Sequence, residues 1–107
     1  MKALIIEDEK LAADRLKRLI TNVSPDITVM AILKSVEEAV GYLQTHVPDL
    51  IFLDIHLSDG SSFGIFDQVQ ISSPIIFTTA YHEYALKAFK VNSIDYLLKP
   101  IDESALS

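Results

Sequence analysis

The chain has 107 residues, half of them hydrophobic, and no cysteine, so it can build one domain around one core but neither a disulfide framework nor a thiolate metal site. A net charge of −6 argues against binding of nucleic-acid backbone by this domain alone, which needs clustered Lys and Arg. The apolar runs are too short to cross a membrane, and the start Met1-Lys2-Ala3-Leu4 meets acid at Glu7, so no signal peptide is read there and a soluble cytoplasmic chain is expected.

The first apolar run covers residues 3–6 and stops abruptly at Glu7, Asp8 and Glu9. Ala12, Leu16, Leu19, Ile20 and Val23 then recur at helical spacing. The turn signal Ser24-Pro25-Asp26 leads into a second run, 27–33, in which Thr28 and Lys34 fall opposite Val29 and Leu33. A second helical stripe follows in Val36, Ala39, Val40, Leu43 and Val47, closed by Val47-Pro48-Asp49. Run 50–53 is purely apolar and ends in Asp54, before the turn Ser58-Asp59-Gly60. Phe63, Phe66 and Val69 form a shorter stripe, and Ser73-Pro74 opens the run 75–79. A fourth stripe, Tyr81, Ala85, Ala88 and Phe89, precedes the last run, 94–98, which contains Asp95.

Strand and helix alternate five times, which predicts an α/β fold with a parallel sheet covered on both faces. The first, third and fourth runs suit the middle of the sheet, and the second and fifth suit its edges. With right-handed crossovers the order is 2-1-3-4-5, a flavodoxin-like, doubly wound, five-stranded sheet. Only residues 102–107 follow the fifth strand, so a fifth helix is expected to be cut short.

In such a sheet the site lies beyond the carboxyl ends of the strands. Those ends carry Glu7 and Asp8, then Asp54, then Thr78-Thr79-Ala80, then Lys99-Pro100. Clustered carboxylates repel by about 1 kcal/mol per pair in water and about 4 kcal/mol at an effective dielectric of 20, and a divalent cation removes that liability. Oxygen-only ligands suit Mg²⁺. Asp54 is the candidate nucleophile for a phosphoryl group, with Lys99 as the neutralising cation and the Thr79 hydroxyl and Ala80 N–H as donors. Each residue also has a plainer reading: an acidic helix start for Glu7 and Asp8, a turn cap for Asp54, a solvated strand end for Lys99. Glu9 is read as a helix-start residue. His46 and His82 are read as surface residues, Tyr81 and Tyr84 as a partly buried helix face.

Glu7-Asp8, Phe52-Leu53-Asp54, Thr79-Ala80 and Lys99-Pro100, each at a strand end, resemble the motifs of a receiver domain from bacterial two-component signalling. The segments DIHLSDGSSFGIF and FTTAYHEYALKAF, with IDYLLKP, resemble response regulators of the LytTR type, in which a receiver precedes a β-rich DNA-binding domain. The resemblance implies one receiver domain over residues 1–107, with that output domain expected in a full-length protein and absent from this chain. It implies that Asp54 takes phosphate from a phosphohistidine on a sensor histidine kinase. Mg²⁺ would be held by Glu7, Asp8, Asp54 and the backbone carbonyl of His56. Thr79 and Tyr96 would form the switch, Lys99 and Ala80 would hold the phosphoryl group, and the bond to Pro100 would be cis.

The same resemblance implies control of transcription through the output domain, homodimerisation on phosphorylation, no membrane contact, and no enzyme activity beyond self-phosphorylation and dephosphorylation. Three departures stand out. Glu7 replaces the Asp of many receivers, and its longer side chain has the reach to contact a metal through water. The loop from Asp54 to Gly60 is short and lacks proline, which bears on access to Asp54. The partner face that a fifth helix helps to build would be incomplete. Two other functions compete: a receiver-like interaction module that takes no phosphate, and an aspartyl-phosphate phosphatase. The second wants a carboxylate two residues after the nucleophile, where this chain has His56.

Overall fold

The computed structural model describes residues 1–78 with their side chains, and the backbone of Thr79 and of Ser93–Leu98. In chain order the elements are β1 (Lys2–Ile6), α1 (Lys10–Val23), β2 (Thr28–Leu33), α2 (Val36–Leu43), β3 (Leu50–Asp54), β4 (His56–Leu57), β5 (Gly60–Ser61), α3 (Phe63–Phe66), β6 (Ile75–Thr79) and β7 (Ser93–Leu98). The main sheet is five-stranded in the order β2-β1-β3-β6-β7, and every pairing is parallel. This is the expected 2-1-3-4-5 order, with a small antiparallel hairpin, β4-β5, inserted after the third strand.

Position in the sheet follows composition. β3 is buried at all five positions, as a strand flanked on both sides and covered on both faces must be. β2, which carries Thr28, is fully buried nowhere and forms an edge. Alternation along the strands divides the core in two. Leu4, Ile6, Ile51, Leu53, Ile75 and Phe77 face α2 and α3, while Ala3, Ile5, Leu50 and Phe52 face Ala13, Leu16 and Ile20 of α1. Each fully buried Leu or Ile contributes roughly 1.5–3 kcal/mol.

Three helical readings need correction. The second stripe stops with α2 at Leu43, and Val47 beyond it is exposed. In α1 the fully buried alanine is Ala13, with Leu16 and Ile20, and Ala12 is only half-buried. The pair is one residue apart, so either fits the period, and packing on the sheet selects the second. The third stripe is a single turn, Phe63–Phe66, whose buried residue is Ile65 at 0% exposure. Phe63 and Phe66 lie beside Phe77 instead, at ring-centroid distances of 5.4 and 6.4 Å. The helix expected over 81–89, the shortened fifth helix, and Ala80, Lys99 and Pro100 lie outside the described residues. No helix among the described residues is long and apolar enough to cross a membrane.

Candidate functional site

The strand register builds the site. Ile6 pairs with Leu53 across β1 and β3, so the next residues, Glu7 and Asp54, leave the sheet side by side. The Glu7 N–H donates to the Leu33 carbonyl at 2.8 Å, which carries the β1–β2 ladder past the end of β1. Alternation puts Glu7 and Asp54 on the face of Ile5 and Phe52, the α1 side. The two side chains are buried, at 3% and 7% exposure, and Asp8 beside them is exposed. One carboxylate oxygen from each of Glu7, Asp8 and Asp54 lies within 4.8 Å of the others.

Three carboxylates at that separation repel by about 3–4 kcal/mol per pair at an effective dielectric of 20. Burial of two of them worsens the balance, because the low-dielectric side offers less screening than water. The donor set is all oxygen, charged and compact, with no nitrogen or sulfur. It fits a hard divalent cation of the Mg²⁺ kind, which accepts a few carboxylates and keeps several waters.

The plainer reading of this acidic run, as a cap for the following helix, finds little support. α1 starts at Lys10; its N-cap, Glu9, has an extended backbone, makes no side-chain capping hydrogen bond, and no acid lies in the first turn. Glu9 occupies the helix start, as expected, and its N–H donates to Glu7 Oε2 at 3.1 Å. The buried Glu7 carboxylate thus sits between the loop backbone and the other two acids.

Thr78 is a residue that sequence reasoning passed over in favour of its neighbour. It is the direct register partner of Asp54, only 1% exposed, and by alternation on the same face. Glu7, Asp54 and Thr78 therefore form one row across three strands. Thr79 ends β6 opposite Leu98, and Tyr96 lies on β7 opposite Phe77.

The chain leaves Asp54 through Ile55, which is fully buried, and enters the β4–β5 hairpin, where His56 pairs with Ser61 and Leu57 with Gly60. The His56 side chain is exposed, as expected. Gly60, at φ 137°, adopts a backbone conformation that a side chain would disfavour. The turn residue Asp59 is the second one missed. Its carboxylate accepts from the N–H of Val36 at 2.7 Å and of Glu37 at 3.1 Å, the first two residues of α2. Those two backbone N–H groups hold the Asp59 carboxyl below its ordinary pKa. The Ser58 hydroxyl donates to the Lys34 carbonyl at 3.4 Å, beside the same junction. Ser-Asp-Gly reads as a turn, and nothing local shows that its carboxylate reaches back to a helix more than twenty residues upstream.

His46 is exposed at the far end of α2, stacked on Tyr42 with ring centroids 4.0 Å apart. It takes no part in the acidic site.

A family model described as the response regulator receiver domain matches residues 3–107. The sensory transduction protein LytT of Enterococcus faecalis is 42% identical over 110 residues, covering 100% of this chain and 45% of that protein. The transcriptional regulatory protein BtsR of Salmonella typhi is 38% identical over 108 residues, covering 99% and 45% respectively. The chain thus spans less than half the length of these curated relatives. Among solved structures, the response regulatory domain of protein mrkE from Klebsiella pneumoniae superposes with a TM-score of 0.85 at 36% identity, covering 99% of this chain and 88% of that one.

Proposed function

This chain belongs to the response regulator receiver family, and on that premise we propose that Asp54 accepts a phosphoryl group from a phosphohistidine on a sensor histidine kinase. The observation that carries the reading is the meeting of the Glu7, Asp8 and Asp54 carboxylates within 4.8 Å at the end of the central strands. A carboxylate oxygen of Asp54 attacks phosphorus, an O–P bond forms, the N–P bond of the donor breaks, and the imidazole leaves and takes up a proton. Burial of Asp54 at the strand end holds the nucleophile in one place and keeps bulk water from one side of it. Glu7, Asp8, Asp54 and the His56 carbonyl would hold Mg²⁺, which when bound neutralises charge on the transferring oxygens.

The remaining roles rest on family resemblance. Thr79 and the Ala80 N–H donate to the phosphoryl oxygens, Lys99 faces them as the cation, the Lys99–Pro100 bond is cis, and Thr79 and Tyr96 pass the change to the partner surface. The domain over residues 1–107 would then act in the cytoplasm as the input to a DNA-binding output domain, with dimerisation following phosphorylation, and without turnover of any other substrate. A phosphatase fits less well, because position 56 is an exposed histidine rather than a second carboxylate.

The test is intact mass after incubation with acetyl phosphate, with and without Mg²⁺. One phosphoryl group gained only with Mg²⁺, and none gained by a folded Asp54→Asn variant, is the expected result. Undiminished labelling of Asp54→Asn would sink the assignment. A folded protein that takes no label would favour the unphosphorylated interaction module.

A further inference from the structure

We propose that Asp59 is a positioning residue for the phosphorylation site: it latches the turn of the β4–β5 hairpin to the start of α2, and so fixes residues 55–57 where they leave Asp54. The inference rests on the phosphorylation reading above.

The hairpin cannot hold itself. Two strands of two residues each fall well short of what a β-ribbon needs for independent stability. His56, Ser58, Asp59, Gly60 and Ser61 are all exposed, and among the described residues Ile55 and Leu57 supply the segment's apolar burial. The Ser62 N–H donates to the Ile55 carbonyl at 2.8 Å and closes the base. At the tip, the hydrogen bonds to other elements among the described residues include Asp59 accepting from the Val36 and Glu37 N–H groups and the longer bond from Ser58 to Lys34. The Asp59 bonds join a charged acceptor to the positive end of a helix, the stronger kind of hydrogen bond.

What the latch grips is itself tied to the site. The Leu33 carbonyl, one residue before the junction, accepts the Glu7 N–H at 2.8 Å. The junction is further braced by Ser35 accepting from the Glu38 N–H at 3.0 Å and by Glu38 accepting from the Lys34 N–H at 2.9 Å. One rigid corner therefore holds both flanks of the acidic cluster: Glu7 through β2, and the segment after Asp54 through Asp59. With the latch open, the backbone at His56 loses its fixed position relative to Glu7, and the site must order that segment each time it binds an ion.

The experiment uses Mg²⁺ alone, followed by calorimetric titration and by the backbone amide resonances of His56 and Leu57. Asp59→Ala is expected to raise the Mg²⁺ concentration for half-saturation about three- to tenfold and to shift or broaden those amides, because supporting groups around a metal site tune its affinity on that scale. Asp59→Asn keeps an oxygen that accepts from Val36 and is expected to stay within about twofold of the parent. Ser35→Ala unpins the same helix start from its other side. It is expected to lower the thermal midpoint while leaving Mg²⁺ half-saturation within about twofold. Parent-like Mg²⁺ binding by Asp59→Ala overturns the proposal. So does an equal loss in Ser35→Ala, which would assign the effect to α2 stability. A parent that binds Mg²⁺ yet takes no phosphoryl group overturns the phosphorylation reading, and the Mg²⁺ comparison still decides on Asp59.

Discussion

Two helix starts face the same edge of the sheet, and they use their acids in opposite ways. At α2, Ser35 caps the Glu38 N–H, Asp59 takes the N–H groups of Val36 and Glu37, and Glu38 reaches back to Lys34. At α1, three acids precede the helix, yet Glu9 caps nothing with its side chain and no acid lies in the first turn. Two of them, Glu7 and Asp8, gather with Asp54 instead. The acids around α2 are spread over backbone donors, whereas Glu7, Asp8 and Asp54 bring one carboxylate oxygen each within 4.8 Å of the others. Like charges gathered in a native structure repel one another, and a bound cation lowers that repulsion, which makes the gathering informative.

The largest expected effect comes from the crowded start. Asp8→Asn should cut Mg²⁺-dependent phosphorylation by about ten- to a hundredfold, the loss typical when even a partner of a metal ligand is removed. Thermal stability measured without Mg²⁺ should fall by less than the roughly 1 kcal/mol of a lost helix cap, because the substitution also removes repulsion from Glu7 and Asp54. A larger fall in stability would mean that Asp8 serves the fold after all, and the contrast between the two helix starts would dissolve.

A smaller effect compares two serines. Ser35→Ala should cost about 1 kcal/mol in denaturant unfolding, as for a lost N-cap. Ser62 sits in the same place before α3, but with a helical backbone, no capping bond, and a buried hydroxyl that lacks a partner among the described residues. Ser62→Ala should leave stability unchanged or raise it by up to about 1 kcal/mol, since it removes an unsatisfied buried group. Equal losses at the two serines would show that both hydroxyls serve the fold alike.

The smallest effect is a pH dependence. Asp59's carboxyl is held below its ordinary pKa by the Val36 and Glu37 N–H groups, so its contribution is complete above the unfolded value, near 4, and fades as pH falls through the lower folded one. The stability difference between the parent and Asp59→Asn should therefore be constant from about pH 5 to 7 and shrink below about pH 4. A difference that persists at low pH would mean that the carboxylate charge adds nothing to the hydrogen bonds of the latch.

Much of this was legible in the sequence, because burial writes itself into strands. Runs that are apolar on both faces marked β1, β3 and β6 as interior, and Thr28 marked β2 as an edge. The meeting of Glu7, Asp8 and Asp54 followed from strand order alone. What escaped was set by distant contacts. Ala12 and Ala13 cannot be told apart by period; only the sheet chooses. Ile65 was missed because a one-turn helix has no period to detect. Thr78 and Thr79 differ by one step of alternation, and only register shows which of them stands beside Asp54. Asp59 pairs with a helix more than twenty residues back, in a contact that no local motif announces.

The place of β1 in the middle of the sheet also shapes how the chain comes to be folded. β1 leaves the ribosome before both of its partners, β2 and β3. The residues between Ile6 and Leu50 take roughly 2–9 s to make at 5–20 residues per second. Through that interval Ala3, Leu4, Ile5 and Ile6, later among the most buried residues of the molecule, have no sheet to enter on the β3 side. The nascent chain therefore carries this apolar segment without its β3 partner until Leu50–Asp54 arrives to pair with it.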